Sequence, residues 1–266
     1  MKLMRDSYGL KIIELWPQNI PGGGNDEENE RYETRDVAGA AKLLKERGIE
    51  VACVTLGFWA APMCFAIGGS ARYTEALKGA VDAAVTLGAK LVNTYNVGIP
   101  LSIWGDAVKP AAEYAASKGV VITIENEAHD DSALPANVAA VCARVNSAGL
   151  RTLFDPCNYY HAGVEPFPGA YEGVKKHIGY VHLKGGCLYD ASIAGVHKGS
   201  NMRESTRDFI GYVPLPETTF NVEAIVRALK RDGYTGYVAL EPHVQTAEVL
   251  EFYKQEIPFI QALLVD

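Results

Sequence analysis

Strand-like and helix-like segments alternate along this chain, and that alternation constrains its fold more than any other feature. Seven short runs rich in apolar or β-branched residues have the composition of buried strands. The runs are LKIIELW (10–16), IEVACVTL (49–56), AKLVNTY (89–95), VVITIE (120–125), RTLFD (151–155), YVHLK (180–184) and YVALE (237–241). Segments with helical periodicity separate them. The order predicts an α/β fold with a mainly parallel sheet.

Glycine marks the predicted helix ends, because a left-handed residue commonly terminates a helix. The segments that close in this way are AAKLLKERG, AVDAAVTLG, AAEYAASKG, AAVCARVNSAG and IVRALKRDG, and a strand follows each of them closely. Two stretches, 17–35 and 185–219, are interpreted as long loops, which in compact domains are often functional.

Size and composition limit the classes of protein to which this chain can belong. A chain of 266 residues with 48% hydrophobic content is long enough for one barrel-sized domain, and no linker divides residues 1–266. A net charge of −7 argues against a nucleic-acid partner. Five cysteines without a CxxC pair indicate reduced thiols, and no apolar run is long enough to span a membrane. We therefore expect a soluble, cytoplasmic protein.

Polar residues end four of the predicted strands. Glu125, Asp155 and His182 are spaced about one strand–helix unit apart, and Glu241 follows after the 185–219 stretch. The carboxyl ends of parallel strands meet on one face, where barrel enzymes place their chemistry. Close carboxylates are tolerated when a cation lies between them. Three carboxylates and one imidazole favour Mn²⁺ or Mg²⁺, with Co²⁺ or Zn²⁺ as alternatives.

Each of these residues also has a purely structural interpretation. Glu125 could cap the following helix, and Asp155 could begin an Asx-turn. His182 could be a core histidine, and Glu241, which precedes Pro242, could be a turn residue. Four such coincidences at equivalent strand ends are less plausible than one shared site.

The segments TIENE, LFDPCN, YVHLKGG and GYTGYVALEPH occur in this order and resemble the xylose isomerase-like TIM barrels. That superfamily includes ketose 3-epimerases, hydroxypyruvate isomerases and inosose dehydratases. The resemblance implies a TIM (β/α)8-type barrel over nearly the whole chain. The family's first strand is missing, so we expect upstream residues or a neighbouring chain to cover the gap.

The resemblance also implies roles for individual residues. Glu125, Asp155, His182 and Glu241 match the metal ligands, and the two glutamates match the acid and base of the epimerases. Lys184 matches a substrate-facing lysine. Asn158 stands where ketose epimerases often have a substrate-binding histidine, and Gly185 replaces a usual acidic residue, so the substrate stays open.

Further substrate-binding candidates lie outside the matched motifs. Trp16 and Trp104, with the apolar stretch 57–69 interpreted as a loop, could form a wall against which a sugar stacks. His197 and Arg203 in the 185–219 stretch could bind substrate oxygens. The alternative for both groups is ordinary rim packing or a solvated loop.

These features predict a divalent-metal-dependent isomerase or epimerase that abstracts a proton beside a metal-bound carbonyl of a sugar or polyol ketone and forms an enediolate. The alternative is a lyase or dehydratase acting on a keto-sugar, keto-glycoside or inosose. A non-catalytic sugar-binding or structural subunit is the third interpretation. We expect a homo-oligomer or hetero-oligomer.

Overall fold

A computed structural model describes residues 9–265, in which short strands alternate with longer helices. The strands are β1 (Ile12–Leu15), β2 (Glu50–Thr55), β3 (Leu91–Thr94), β4 (Val121–Glu125), β5 (Leu150–Phe154), β6 (Ile178–Leu183), β7 (Gly185–Leu188), β8 (His197–Asn201), β9 (Phe209–Val213) and β10 (Val238–Leu240). The helices are α1 (Asp26–Asn29), α2 (Val37–Glu46), α3 (Ala60–Leu87), α4 (Leu101–Ser117), α5 (Pro135–Val145), α6 (Pro156–His161), α7 (Tyr171–Val174), α8 (Val222–Arg231) and α9 (Val249–Val265).

All seven strands predicted from the sequence are present, and they form one parallel sheet in the order β1-β2-β3-β4-β5-β6-β10. The α/β prediction is therefore confirmed. Within the part of the chain that the structure describes, β1 and β10 are the end strands of this sheet. The expected cover for that gap, the oligomeric state and the cytoplasmic location stay predictions.

The chain groups into two compact units. The first contains the residues up to Glu125 together with Ala139–Leu153, and the second contains Asn126–Val138 together with the residues from Phe154 onward. The single-domain interpretation of 1–266 stays a prediction. No helix within residues 9–265 is both long and apolar enough to cross a bilayer.

The first unit holds the strands from β1 to β4 and most of β5. Residues of β4 alternate between the two faces of the sheet, because successive side chains of a strand point in opposite directions. Ile122 and Ile124 therefore share one face, and Thr123 and Glu125 share the other. All four side chains are buried.

In the second unit, the stretch 185–219 is not the long loop that the sequence suggested. It contains β7, β8 and β9, which form a separate antiparallel sheet in the order β7-β9-β8, followed by a 3₁₀ turn at Leu215–Glu217. The prediction was wrong because these short segments carry four glycines and lack a regular alternation of apolar and polar residues, and their pairing depends on partners distant in sequence.

The glycine signals at the helix ends are largely confirmed. Gly48, Gly88, Gly119 and Gly233 have left-handed backbones directly after or near the ends of their helices. Helix α5 differs, since Asn146 with φ of 49° is the left-handed residue after it.

Gly149 has a different role from the one predicted. A Cβ atom at this position would lie 1.9 Å from the carbonyl oxygen of Ala112. Glycine is therefore required there by the close approach of α4.

Residues 57–69 are also mostly helical, contrary to the loop interpretation. Helix α3 begins at Ala60 and bends at Gly69, whose backbone has φ of 66°. The preceding stretch 17–35 is tied to this helix by charge pairs, in which Arg31 and Arg72 both bind Glu27 and Glu33.

One buried carboxyl lies away from the strand ends. Glu256 on α9 is fully buried, and its Oε1 accepts a hydrogen bond of 3.3 Å from the backbone N–H of Leu215. Its Oε2 has no hydrogen-bond partner among residues 9–265. Burial raises the pKa of Glu256 from 4.5 to about 7, and the bond from Leu215 offsets part of that rise.

This raised pKa predicts a pH-dependent stability. The unfolded chain releases the Glu256 proton near pH 4.5, whereas the folded chain keeps it until about pH 7. Stability therefore falls between those values, by roughly 3 kcal/mol at 1.36 kcal/mol per pKa unit. Glu256→Gln should remove this loss, so it should be more stable relative to wild type at pH 8 than at pH 5 in urea unfolding.

The exposed Glu251 on the same helix supplies the control, since Glu251→Gln should change stability equally at both pH values. Equal effects of Glu256→Gln at pH 5 and pH 8 would show that Glu256 does not titrate in this way.

Candidate functional site

Glu125 ends β4 and is held by its neighbours within the first unit. Asn93 Nδ2 donates a 2.8 Å hydrogen bond to Glu125 Oε2, and Thr123 Oγ1 donates a 3.0 Å bond to Asn93 Oδ1. All three side chains are buried. The Glu125 carboxylate is therefore oriented by an amide that is itself fixed by a hydroxyl.

Asp155 follows β5 in the second unit and serves two purposes. Its Oδ1 accepts a 3.0 Å hydrogen bond from the backbone N–H of Asn158 and so caps helix α6. Its Oδ2 lies 2.8 Å from Lys184 Nζ. The two oxygens of Asp155 therefore have different partners, so its role as a helix cap is compatible with its predicted role as a metal ligand, which stays a prediction.

Asn126 fixes the backbone at Asp155 from both sides. Its Nδ2 donates to the carbonyl oxygen of Asp155, and its Oδ1 accepts from the N–H of Asp155, each at 2.9 Å. Asn158 Nδ2 donates to the carbonyl oxygen of Asn126 at 2.9 Å and to Glu127 Oε1 at 3.3 Å. These bonds connect the TIENE and LFDPCN segments.

Lys184 joins two of the strand-end carboxylates. Its Nζ is 2.8 Å from Glu241 Oε2, the same distance as from Asp155 Oδ2, and the lysine is almost fully buried. His182 Nδ1 and His243 Nε2 each lie 3.5 Å from Glu241 Oε2. Burial alone would raise the pKa of Glu241, but Lys184 and His182 outweigh it and hold the pKa well below its usual value.

The structure brings the four predicted strand-end residues together. One ligand atom from each of Glu125, Asp155, His182 and Glu241 lies within 4.8 Å of the others. Among residues 9–265 they form the one group of three or more His, Cys, Asp or Glu side chains that is this compact. Lys184 and Asn158 contact members of the group directly.

The remaining predicted residues are placed differently. Trp16 follows β1 and stacks on Tyr95 with ring centroids 5.9 Å apart. His197 lies 3.6 Å from Glu248, and Arg203 donates to the carbonyl oxygen of Asp130 at 2.8 Å. Neither His197 nor Arg203 belongs to the four-residue group, so their substrate roles stay predictions.

The prediction that Trp104 forms part of a stacking wall for a sugar is wrong. Trp104 lies within helix α4, fully buried, and its indole N–H donates to Tyr73 Oη and to the carbonyl oxygen of Tyr95. A buried indole whose donor is satisfied by the protein is a core residue, so Trp104 offers no surface for a sugar.

Tyr212 on β9 is a site neighbour that the sequence did not reveal. Its ring lies 4.8 Å from the ring of His243, which in turn lies 3.5 Å from Glu241. Burial raises the pKa of Tyr212, while the nearby Lys184 opposes that rise. No pattern marked Tyr212, because the fold of its sheet was not predicted.

Asn93 was also overlooked, although a signal for it exists. Asn93 is a lone amide in the apolar run LVNTY, and it pairs in register with Thr123. Polar residues at neighbouring positions on the same face of a parallel sheet indicate an internal hydrogen-bond network.

Comparison with known proteins agrees with this architecture. The profile of the xylose isomerase-like TIM barrel family matches residues 5–263. No curated protein sequence gives a significant match. Similar solved structures include the probable 3-DHS dehydratase AsbF of Bacillus anthracis, which has a TM-score of 0.66 and 15% identity over 96% of this chain and 90% of its own.

Two further structures have the same fold. The IOLI protein, solved with a binding zinc atom, has a TM-score of 0.66 and 18% identity over 99% of this chain and 90% of its own. An L-ribulose 3-epimerase has a TM-score of 0.64 and 18% identity over 98% of this chain and 86% of its own. At these identities the similarity shows the fold alone.

The family match covers nearly the whole chain and confirms both the resemblance and the predicted barrel class. This chain belongs to the xylose isomerase-like TIM barrel family.

Proposed function

We propose that this chain is a divalent-metal-dependent isomerase or epimerase acting on a sugar or a related polyol ketone. The observation that carries the proposal is the convergence of four ligand atoms, from Glu125, Asp155, His182 and Glu241, to within 4.8 Å of one another. Membership of the family supports the same reaction class.

The residues present fit a divalent cation. Three ionised carboxylates carry a formal charge of −3, and the ammonium of Lys184, which lies 2.8 Å from Asp155 and Glu241, compensates only part of it. Glu125 and Asp155 are buried, and buried carboxylates are costly unless a cation balances them. Oxygen-rich sets favour Mn²⁺ or Mg²⁺, and Zn²⁺ is an alternative that the IOLI structure supports.

Such an ion would polarise a substrate carbonyl and stabilise the negative charge that develops when the neighbouring carbon loses a proton. The chain's own residues would move that proton. Lys184 and His182 hold the pKa of Glu241 low, which favours the ionised form that a base requires. Glu125, in its protonated form, would be the acid that returns a proton to the substrate.

Other residues would bind the substrate. Tyr212 offers a hydroxyl near the site, and His243 contacts both the Tyr212 ring and Glu241. Lys184 Nζ is a hydrogen-bond donor close to the carboxylates of Asp155 and Glu241. These groups are suited to the hydroxyls of a polyol, since sugars are recognised chiefly through hydrogen bonds at several oxygens.

A lyase or dehydratase is the second candidate function. An aromatic cluster in the first unit supports it, because Trp16 stacks on Tyr95, and Phe58 contacts both Tyr95 and Trp59. The Trp59 side chain is 52% exposed. Exposed aromatic rings suit a larger keto-glycoside, from which loss of a β-substituent would follow the same proton abstraction.

Deuterium exchange distinguishes these functions. With Mn²⁺ and a panel of ketoses, inososes and 3-keto-glycosides in D₂O, the protein should place deuterium on the carbon beside the carbonyl of its substrate. Elimination would add a dehydrated or cleaved product. Glu241→Gln should lower exchange by about 10²- to 10⁴-fold, because it removes the base but keeps an oxygen ligand.

His182→Ala should lose metal binding and exchange together. If Glu241→Gln exchanged at the wild-type rate on an identified substrate, Glu241 would not be the base. If no member of the panel exchanged although Mn²⁺ was bound, the non-catalytic interpretation would replace the enzymatic one.

Lys184 supplies a test that needs no substrate. Lys184→Met removes the ammonium between Asp155 and Glu241, and breaking a largely buried pair in this way costs about 2–4 kcal/mol, discounted here for the partly exposed Glu241. Thermal unfolding after EDTA treatment should reveal this loss. Added Mn²⁺ should raise the Tm of the variant more than that of wild type, because the ion supplies the missing positive charge.

Lys78→Met is the matched control, since Lys78 pairs at 3.0 Å with Glu75 at the protein surface and such pairs contribute at most about 1 kcal/mol. An equal gain in Tm from Mn²⁺ in wild type and Lys184→Met would separate Lys184 from the proposed metal site.

A further inference from the structure

We propose that Asn93 is a positioning residue for the metal site, which sets the orientation of the Glu125 carboxylate through a hydrogen-bond chain from Thr123. This inference rests on the proposed function, because it assigns Asn93 a role toward the same divalent ion. It adds β3, which contributes none of the four ligands, to the elements that build the site.

The geometry of the chain is defined by two short bonds. Asn93 Nδ2 lies 2.8 Å from Glu125 Oε2, and Thr123 Oγ1 lies 3.0 Å from Asn93 Oδ1. The exposed fractions of Asn93, Thr123 and Glu125 are 0%, 0% and 1%. Water therefore does not replace either bond readily, and each polar group depends on its protein partner.

Thr123 determines which end of the amide faces the carboxylate. A carboxylate only accepts hydrogen bonds, so the amide must turn its NH₂ group toward Glu125. The Thr123 hydroxyl has two acceptors within reach, Asn93 Oδ1 at 3.0 Å and the carbonyl oxygen of Val92 at 3.4 Å, and donation to the nearer Asn93 Oδ1 secures that orientation. The register of the sheet, in which Asn93 is paired with Thr123, places the two side chains side by side.

The neutral amide of Asn93 and the ammonium of Lys184 contact different carboxylates. Lys184 compensates the charge of Asp155 and Glu241, whereas Asn93 orients Glu125 without neutralising it. The Glu125 carboxylate is thus held in a defined orientation toward a bound cation. Outer partners that orient a ligand in this way typically affect metal affinity 10- to 100-fold.

Titration calorimetry with Mn²⁺ alone, on the EDTA-treated full chain, tests the proposal. Asn93→Leu removes the hydrogen-bond donor while keeping a side chain of similar size, and it should raise the Kd for Mn²⁺ by roughly 10- to 100-fold. Thr123→Val removes only the hydroxyl and should raise the Kd for Mn²⁺ by about two- to tenfold, which corresponds to the free energy of one hydrogen bond. The double variant should bind no more weakly than Asn93→Leu, because Thr123 acts through Asn93.

Thr152→Val is the matched control. Thr152 is equally buried, and its hydroxyl donates to the carbonyl oxygen of Ile124, 2.9 Å away, rather than to Asn93. This variant should lose thermal stability as Thr123→Val does but keep the Kd for Mn²⁺ within about twofold of wild type.

The outcomes separate the two proposals. If wild type binds Mn²⁺ and the Kd of Asn93→Leu is within twofold of the wild-type Kd, the positioning role is overturned. The proposed function is then unaffected. Equal weakening by Thr123→Val and Thr152→Val overturns the positioning role as well, because the effect would then be general destabilisation. A folded wild-type chain that binds none of Mn²⁺, Mg²⁺, Co²⁺ or Zn²⁺ overturns both proposals.

Discussion

Compensation of negative charge at the strand ends is the constraint on which the site depends. Glu125 and Asp155 are buried, and Glu241 shares the cation of Asp155. The Lys184 ammonium lies 2.8 Å from an oxygen of each of those two residues. Because the Lys184 ammonium does not balance three carboxylates, a bound divalent cation would stabilise the site, and the proposed chemistry would use that same cation.

Strand geometry explains why these side chains meet. The two-residue period of a strand sends Thr123 and Glu125 to one face of the sheet, and the register pairs Asn93 with Thr123 on the neighbouring strand. Likewise, Ala239 pairs with His182, so that Glu241 follows β10 close to the imidazole. A shift of one residue in either pairing would turn the polar side chains to the opposite face.

Local signals in the sequence were sufficient for the strands, for four of the five glycine-marked helix ends and for the four residues that converge. They failed where structure depends on distant partners. The sheet of β7, β8 and β9 depends on long-range pairing, and Trp104 was misplaced because an aromatic residue has the same local pattern at a rim and in a core. Asn146 took the left-handed position expected for glycine, and Gly149 is required by contact with Ala112.

The central claim, that the strand-end group is a divalent metal site, is tested most directly by a crystal structure of the protein grown with Mn²⁺ and measured at the manganese absorption edge. We expect one anomalous peak about 2.0–2.3 Å from ligand atoms of Glu125, Asp155, His182 and Glu241. A peak held by other residues, or a well-ordered site in which Lys184 still bridges Asp155 and Glu241 and no peak is present, would contradict the claim.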